Sequence, residues 1–331
     1  MNTTLTASRI HDKKMKNRSP FFCRPSLCRR FLTVGMLTPL AFLSAAGVLG
    51  AQEPSPTATA KARNGKVETP APTLPPLQPV DITKLPEGTG QLDLYLLMGQ
   101  SNMKGRGIMP EEPARDPRIV MMHLKDDSWY LARHPLHLVG DPQTFAGHDN
   151  AGVGPGLAFA EALLAQNPKL AIGLVPCAVG GSPINLWQKG GRLYDEALRR
   201  ARVALQTAAP VQARIRGVLW LQGEANANAA GLAVHEAKLL KLVDDLRADL
   251  AQPDLPFIAC TIGEMGGASK TADKIAMNQL LLDLPSKRAH TACVDARDLK
   301  THIGDSVHFD TAAQTEIGNR FAAKLNELHA K

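Results

Sequence analysis

From Leu92 onward, short apolar runs alternate with stretches of helical periodicity. Leu92–Met98 (LDLYLLM), Leu170–Val175, Arg214–Gln222, Pro256–Ile262 and Ala292–Val294 are apolar runs of strand length. Between them, Leu157–Leu164, Tyr194–Leu205, Val234–Leu250, Ile275–Leu282 and Ala312–Leu328 carry apolar residues at helical spacing. Leu239, Leu242, Val243 and Leu246 form one such stripe. Pro155, set between two glycines, suits a first helical turn. Strands separated by helices pair in parallel through crossovers, so the pattern predicts an α/β fold, a three-layer α/β/α sandwich around a mainly parallel sheet. Gly105–Asp149 interrupts the alternation with many His, Pro and Asp residues and is expected to form long loops beside the site. There is no internal repeat.

The amino-terminal segment follows another pattern. Basic side chains, among them Arg9, Lys13, Lys14, Arg29 and Arg30, precede an apolar run from Phe31 to Leu49 and small residues at Gly50 and Ala51. That order is the layout of an export signal over residues 1–51, with the adjacent Arg29 and Arg30 hinting at a twin-arginine type. If left uncleaved, the run of about 19 apolar residues is long enough to anchor the chain in a bilayer. Residues 52–88 are rich in Pro, Thr and Ala and read as a linker that buries too little apolar surface to order itself. Residues 89–331 then form one domain of ordinary size.

Charge changes the picture once it is divided this way. The chain holds 38 Lys+Arg and 31 Asp+Glu, net +7. Removing the eight basic residues and one acid of residues 1–51 leaves 30 of each. The basic excess belongs to the leader, and the near-neutral remainder points to no nucleic-acid partner and, after signal cleavage, no stable membrane partner. Cys177, Cys260 and Cys293, an odd number in apolar runs, read as buried free thiols rather than a disulfide framework. No Cys/His spacing resembles a zinc site, and neither a metal nor a cofactor is expected.

Active groups of open α/β folds gather at the carboxyl ends of strands. Here those ends carry GQSNM (Gly99–Met103), AVGGSP (Ala178–Pro183), QGEANAN (Gln222–Asn228) and, in the last loop, DSVHFD (Asp305–Asp310). A serine hydroxyl needs a base to become a nucleophile. Asp305, three residues before His308, can orient its imidazole through Nδ1–H so that Nε2 accepts the Ser101 proton. Thr311 and Gln314 supply a T-x-x-Q capping box for the last helix, leaving Asp305 and His308 free for chemistry. The developing oxyanion requires donors: the Ser101 N–H, backbone N–H groups at Gly180–Gly181, and the Gln222 amide are the candidates. Glu224 is open to three roles: a sugar contact, a loop brace, or the acid partner of His308 in place of Asp305. Trp129 and Trp187 read either as sugar-stacking or as core residues. The G-x-S-x-G elbow of standard α/β-hydrolases is absent.

GQSNM, GPGLAFA, AVGGSPI, VLWLQGE and DxxHF followed by a helix, taken in this order, resemble the sialate O-acetylesterase and carbohydrate esterase family 6 group of the SGNH-hydrolase superfamily. The similarity spans about Leu92 to Leu328. It implies a flavodoxin-like sandwich and metal-free hydrolysis of acetyl esters on an oligo- or polysaccharide through an acetyl-serine. It places the nucleophile at Ser101, the base at His308, the acid at Asp305, and the second-block glycine at Gly181 or Gly180. It also places Gln222 where related enzymes carry an asparagine. The group commonly reads QGE-Ser-Asp where this chain has QGEANAN, so no aspartate role carries over there. Two rival readings stand beside it: a GDSL-type lipase or thioesterase, which requires an apolar acyl tunnel, and a non-catalytic glycan-binding protein on the same fold.

Overall fold

A computed structural model describes residues 75–330 apart from 111–115, 145–146, 148 and 267. The expected export signal and the linker up to residue 74 lie outside the described residues. The chain runs β1 (Gln91–Gly99), α1 (Ser101–Lys104), β2 (Ile119–Met122), β3 (Trp129–Leu131), α2 (Gly156–Gln166), β4 (Leu170–Pro176) and α3 (Arg192–Thr207). It continues with β5 (Arg214–Leu221), α4 (Ala229–Asp249), β6 (Phe257–Cys260), α5 (Ala268–Leu282), α6 (Leu284–Lys287), β7 (Thr291–Val294) and α7 (Thr311–His329).

The strands form one sheet in the order β3-β2-β4-β1-β5-β6-β7, parallel except for the β2–β3 pair. The segment β4-β1-β5-β6-β7 has the flavodoxin-like order, with the β2–β3 hairpin added at one edge. Strand alternation divides the apolar side chains between two cores. Leu92, Leu94, Leu96 and Met98 of β1 meet α3 and α4, in a layer that also holds Trp129, Trp187 and Trp220. Tyr95 and Leu97 point the other way, into a core closed by α2 and α7. Trp187 and Trp220 meet edge to face at 5.3 Å in the first core, and Tyr95 and Phe159 do so at 4.8 Å in the second. The three layers are those the periodicity predicts.

Three details depart from expectation, and one open alternative is decided. The 105–149 region is not all loop: β2 and β3 lie within it, extending the sheet. Their apolar runs of four and three residues are too short to stand out by periodicity. Residues 75–88 are not all tether. Leu77 and Ile82 are buried and Pro79 bridges Tyr130 of β3, so the packed part begins ahead of residue 89. Trp129 and Trp187 are core residues, 4% and 0% exposed, and stack on no sugar. The cap of α7 is Asp310, whose side chain accepts from the Ala313 N–H at 2.9 Å. Thr311 instead donates to the Ile108 carbonyl, and Gln314 to Asn102, so the T-x-x-Q box does not form. Cys177, Cys260 and Cys293 are free and buried, as expected. Burial pushes the Cys177 thiol up to about 11 and the Cys293 thiol up to about 12.

Arg200 of α3, wholly buried, ties strand ends together. Its guanidinium donates to the carbonyls of Pro176 (2.9 Å), Met122 (2.9 Å) and His123 (3.2 Å) and to Asp127 Oδ1 (2.6 Å). These carbonyls lie where β2 and β4 end, and that of His123 also accepts the Asp127 N–H at 3.2 Å. A single cation thereby gathers the carbonyls at these strand ends beside the site.

Candidate active site

β1 is the strand from which the sheet grows in both directions, with β4 on one side and β5 on the other. The carboxyl ends of those three strands therefore face one crevice, the switch point where such folds bind ligands. β1 stops at Gly99, whose φ of +132° turns the chain sharply into α1. A Cβ there would stand 2.2 Å from the Leu221 carbonyl oxygen of β5, so only glycine permits this approach. The turn puts Ser101 at the first position of α1, with no protein acceptor for its N–H among the described residues.

Ser101, 6% exposed, has its Oγ 2.8 Å from His308 Nε2. On the far side of the ring, His308 Nδ1 lies 2.5 Å from Asp305 Oδ2. The other Asp305 oxygen accepts the backbone N–H groups of Val307 (3.0 Å) and His308 (2.9 Å). Partial burial works to raise the pKa of this carboxyl. The hydrogen bonds from the His308 backbone and ring and from the Val307 backbone outweigh it and hold the group at about 2. Asp305 is thus an ionised orienting group at any ordinary pH. Ser101, His308 and Asp305 stand in one hydrogen-bonded line, in the order an activated serine needs.

Over Ser101 lies the turn Val179–Ser182, closed by Ser182 N–H to the Val179 carbonyl at 3.3 Å. Gly181, at φ +67°, occupies the third position of this turn, where a type II turn needs a positive φ. A Cβ on Gly180 would come 3.9 Å from Ser101 Cβ, so the turn lies against Ser101. The Gly180 and Gly181 N–H groups have no acceptor among the described residues. Gln222 is elsewhere. Its amide nitrogen donates to the Ser182 carbonyl (3.2 Å) and to Asn226 Oδ1 (2.7 Å), and its oxygen lies 2.9 Å from His235 Nε2. Fully buried and with both amide hydrogens engaged, it supports the glycine turn from behind and presents no donor to the pocket.

Glu224 does face the pocket, but its partner is Asn102, whose Nδ2 donates to Oε1 at 2.5 Å. Its Oε2 is out of solvent contact and has no partner among the described residues. Burial pushes this carboxyl's pKa up against the opposing effect of the Asn102 hydrogen bond. No hydrogen bond joins it to His308.

Ser101, His308, Gly180, Gly181 and Glu224 line an open bowl of about 670 Å³. Its other wall comes from the 104–150 region: Lys104, Arg106, Leu124, His137, Val139, Asp149 and Asn150. Lys104, itself buried, is paired with Asp149, whereas Arg106 has no carboxylate partner among the described residues. Burial pushes the His137 imidazole down to about 3, so it is neutral there. A second hollow of about 650 Å³, at the opposite end of the sheet around Asp93, Arg214 and Arg216, contains no comparable serine–histidine pair. Sequence reasoning located Ser101, His308, Asp305 and Gly181. It left Asn102 and Asn226 without a role, although both lie inside motifs it singled out.

A switch-point crevice of this kind is where flavodoxin-like α/β sandwiches bind their ligands. The model of the carbohydrate esterase, sialic acid-specific acetylesterase family matches residues 91–327, and the chain belongs to that family. A protein of Arabidopsis thaliana described as a probable carbohydrate esterase is 34% identical over 247 residues, 68% of this chain and 86% of its own. An X-ray structure of an Arabidopsis thaliana protein superposes with a TM-score of 0.60 at 32% identity, covering 71% of this chain and 98% of that one. The crystal structure of NanS gives a TM-score of 0.60 at 21% identity, covering 73% and 98%. A carbohydrate acetylesterase from Xanthomonas citri gives 0.53 at 19% identity, covering 72% and 57%; these last two likenesses are of fold.

Proposed function

We propose that the protein is an exported O-acetylesterase of carbohydrate that works through Ser101, His308 and Asp305 and a covalent acetyl-serine. The observation that carries this reading is the aligned Ser101 Oγ–His308 Nε2–Asp305 chain, at 2.8 Å and 2.5 Å, opening on the bowl. Family membership supports the carbohydrate ester as substrate.

As Ser101 Oγ bonds to the acetyl carbonyl carbon, His308 Nε2 takes its proton. The electron pair displaced onto the carbonyl oxygen is met by the N–H groups of Ser101 and Gly181. Collapse expels the sugar oxygen, which takes the proton back from His308. Water then attacks the acetyl carbon, gives a proton to His308, and Ser101 departs with it as acetate leaves. Asp305 keeps Nδ1 as the protonated nitrogen and offsets the imidazolium charge. Glu224 is not the acid of this chain, because its carboxylate is committed to Asn102 and makes no bond to the ring. The bowl is broad and partly polar, which disfavours the acyl tunnel of a lipase, and the intact serine–histidine pair disfavours a purely binding role.

Acetate release from a panel of acetylated glycans, wild type against Ser101→Ala, tests the proposal. The variant is expected to lose activity by at least about a thousandfold on every substrate the wild type accepts. Wild-type rates in Ser101→Ala would reject the mechanism.

A further inference from the structure

His308 sits on a loop whose other hydrogen bonds are local. Asp305 bonds only within residues 305–308, the His308 carbonyl accepts from Ile303 N–H, and His302 Nδ1 accepts from Gly304 and Ser306 N–H. Those bonds shape the loop but do not fix its distance from Ser101, which comes from the middle of the sheet. Asn102, the residue after the nucleophile, spans that gap. Its Nδ2 donates to the Val307 carbonyl at 3.2 Å, and its Oδ1 accepts the Phe309 N–H at 3.1 Å, the two residues that flank His308. The same amide is held in orientation by Glu224 Oε1 (2.5 Å) and Gln314 Nε2 (3.5 Å), and Gln314 also donates to the Asn102 carbonyl at 3.0 Å. Asn102 is wholly buried and does not line the bowl, so it does not meet substrate.

We infer that Asn102 is a positioning residue: it hangs the main chain on both sides of His308 from the residue next to Ser101, and so sets the distance from Nε2 to Oγ. Glu224 and Gln314 fix which end of the Asn102 amide faces Val307 and which faces Phe309. The inference rests on the Ser101–His308 mechanism proposed above. Its energetic basis is the steep dependence of proton transfer and attack on alignment, where a misplacement of about 1 Å lowers the rate on the order of a hundredfold.

The test uses the whole enzyme and 4-nitrophenyl acetate at 25 °C, with melting temperature measured in parallel. Asn102→Ala is expected to lower kcat by about tenfold to a hundredfold, with KM changed by less than about threefold. A purely structural role would lower the melting temperature but leave kcat of the folded enzyme unchanged. Asn102→Asp carries the test if the alanine variant fails to fold. It keeps the side-chain shape and the acceptor for Phe309 N–H, but turns an oxygen toward the Glu224 carboxylate and the Val307 carbonyl. A loss of the same size is expected from it. A kcat within about twofold of wild type in whichever variant folds overturns the positioning role. Ser101→Ala, run alongside, separates the two readings. Full activity in Ser101→Ala overturns the esterase mechanism itself, whereas an inactive Ser101→Ala beside a fully active Asn102 variant overturns only the positioning role.

Discussion

One carboxylate lies within the histidine-bearing loop and a second is tied to that loop through Asn102, and their surroundings assign them different work. Asp305 touches the imidazole and is held ionised at about 2. Asp305→Ala should therefore lower kcat about a thousandfold or more, and Glu224→Ala far less, about tenfold, by leaving the Asn102 amide without one acceptor. Steady-state kinetics on one substrate decides between them, and normal kcat in Asp305→Ala would move the acid role away from that residue. Glu224 also predicts a pH effect of definite sign. Its carboxyl is raised above the ordinary range by burial, so ionisation opposes folding. Its contribution to stability is complete at acid pH and is lost as pH rises through the raised pKa. Glu224→Gln has no such group, so the melting temperature of wild type relative to this variant should fall from pH 4 to pH 8; a constant difference would reject the assignment. Much of the residue scale is legible in the chain, since Ser101, Gly181, Asp305 and His308 all follow the ends of readable elements. Gln222 is not, because an amide at a strand end looks the same whether it points into a pocket or behind it. The direction is decided here by Asn226 and the Ser182 carbonyl, which no local pattern announces.

The elements show the same division between local and tertiary causes. Five strands and five helices fall where periodicity places them, because each buries a regular face of sufficient length. β2 and β3 escape notice, since their strand state comes from pairing with β4 and with each other rather than from propensity over a long run. The cap of α7 shifts to Asp310 because Gln314 has a stronger claim elsewhere, on the carbonyl of Asn102. Arg200 is the side chain on which the β2 and β4 ends most depend. Arg200→Met removes four donor contacts from buried carbonyls and Asp127 while keeping comparable length. It should cost about 3–5 kcal/mol of unfolding free energy, measurable in urea. A loss below about 1 kcal/mol would mean that other donors or water satisfy those carbonyls.

At the scale of the molecule, Ser101, just past the end of the central strand, and His308, on the last loop 207 positions later, meet only when the sheet is assembled from β1 to β7. Activity should thus vanish in the same urea transition as secondary structure, with no active partly folded species; esterase activity persisting after loss of the far-ultraviolet signal would contradict this. The partition of the two cores has an optical consequence. All three tryptophans of the chain, Trp129, Trp187 and Trp220, lie on the α3–α4 side of the sheet, and the core under α2 and α7 has none. Tryptophan emission is therefore blind to one face of the protein and sensitive to the other. Trp187 donates its indole N–H to Ser182 Oγ at 3.0 Å, at the end of the glycine turn above Ser101. An acyl group settling on that turn should change its emission, giving a label-free signal of acylation that Trp187→Phe would erase.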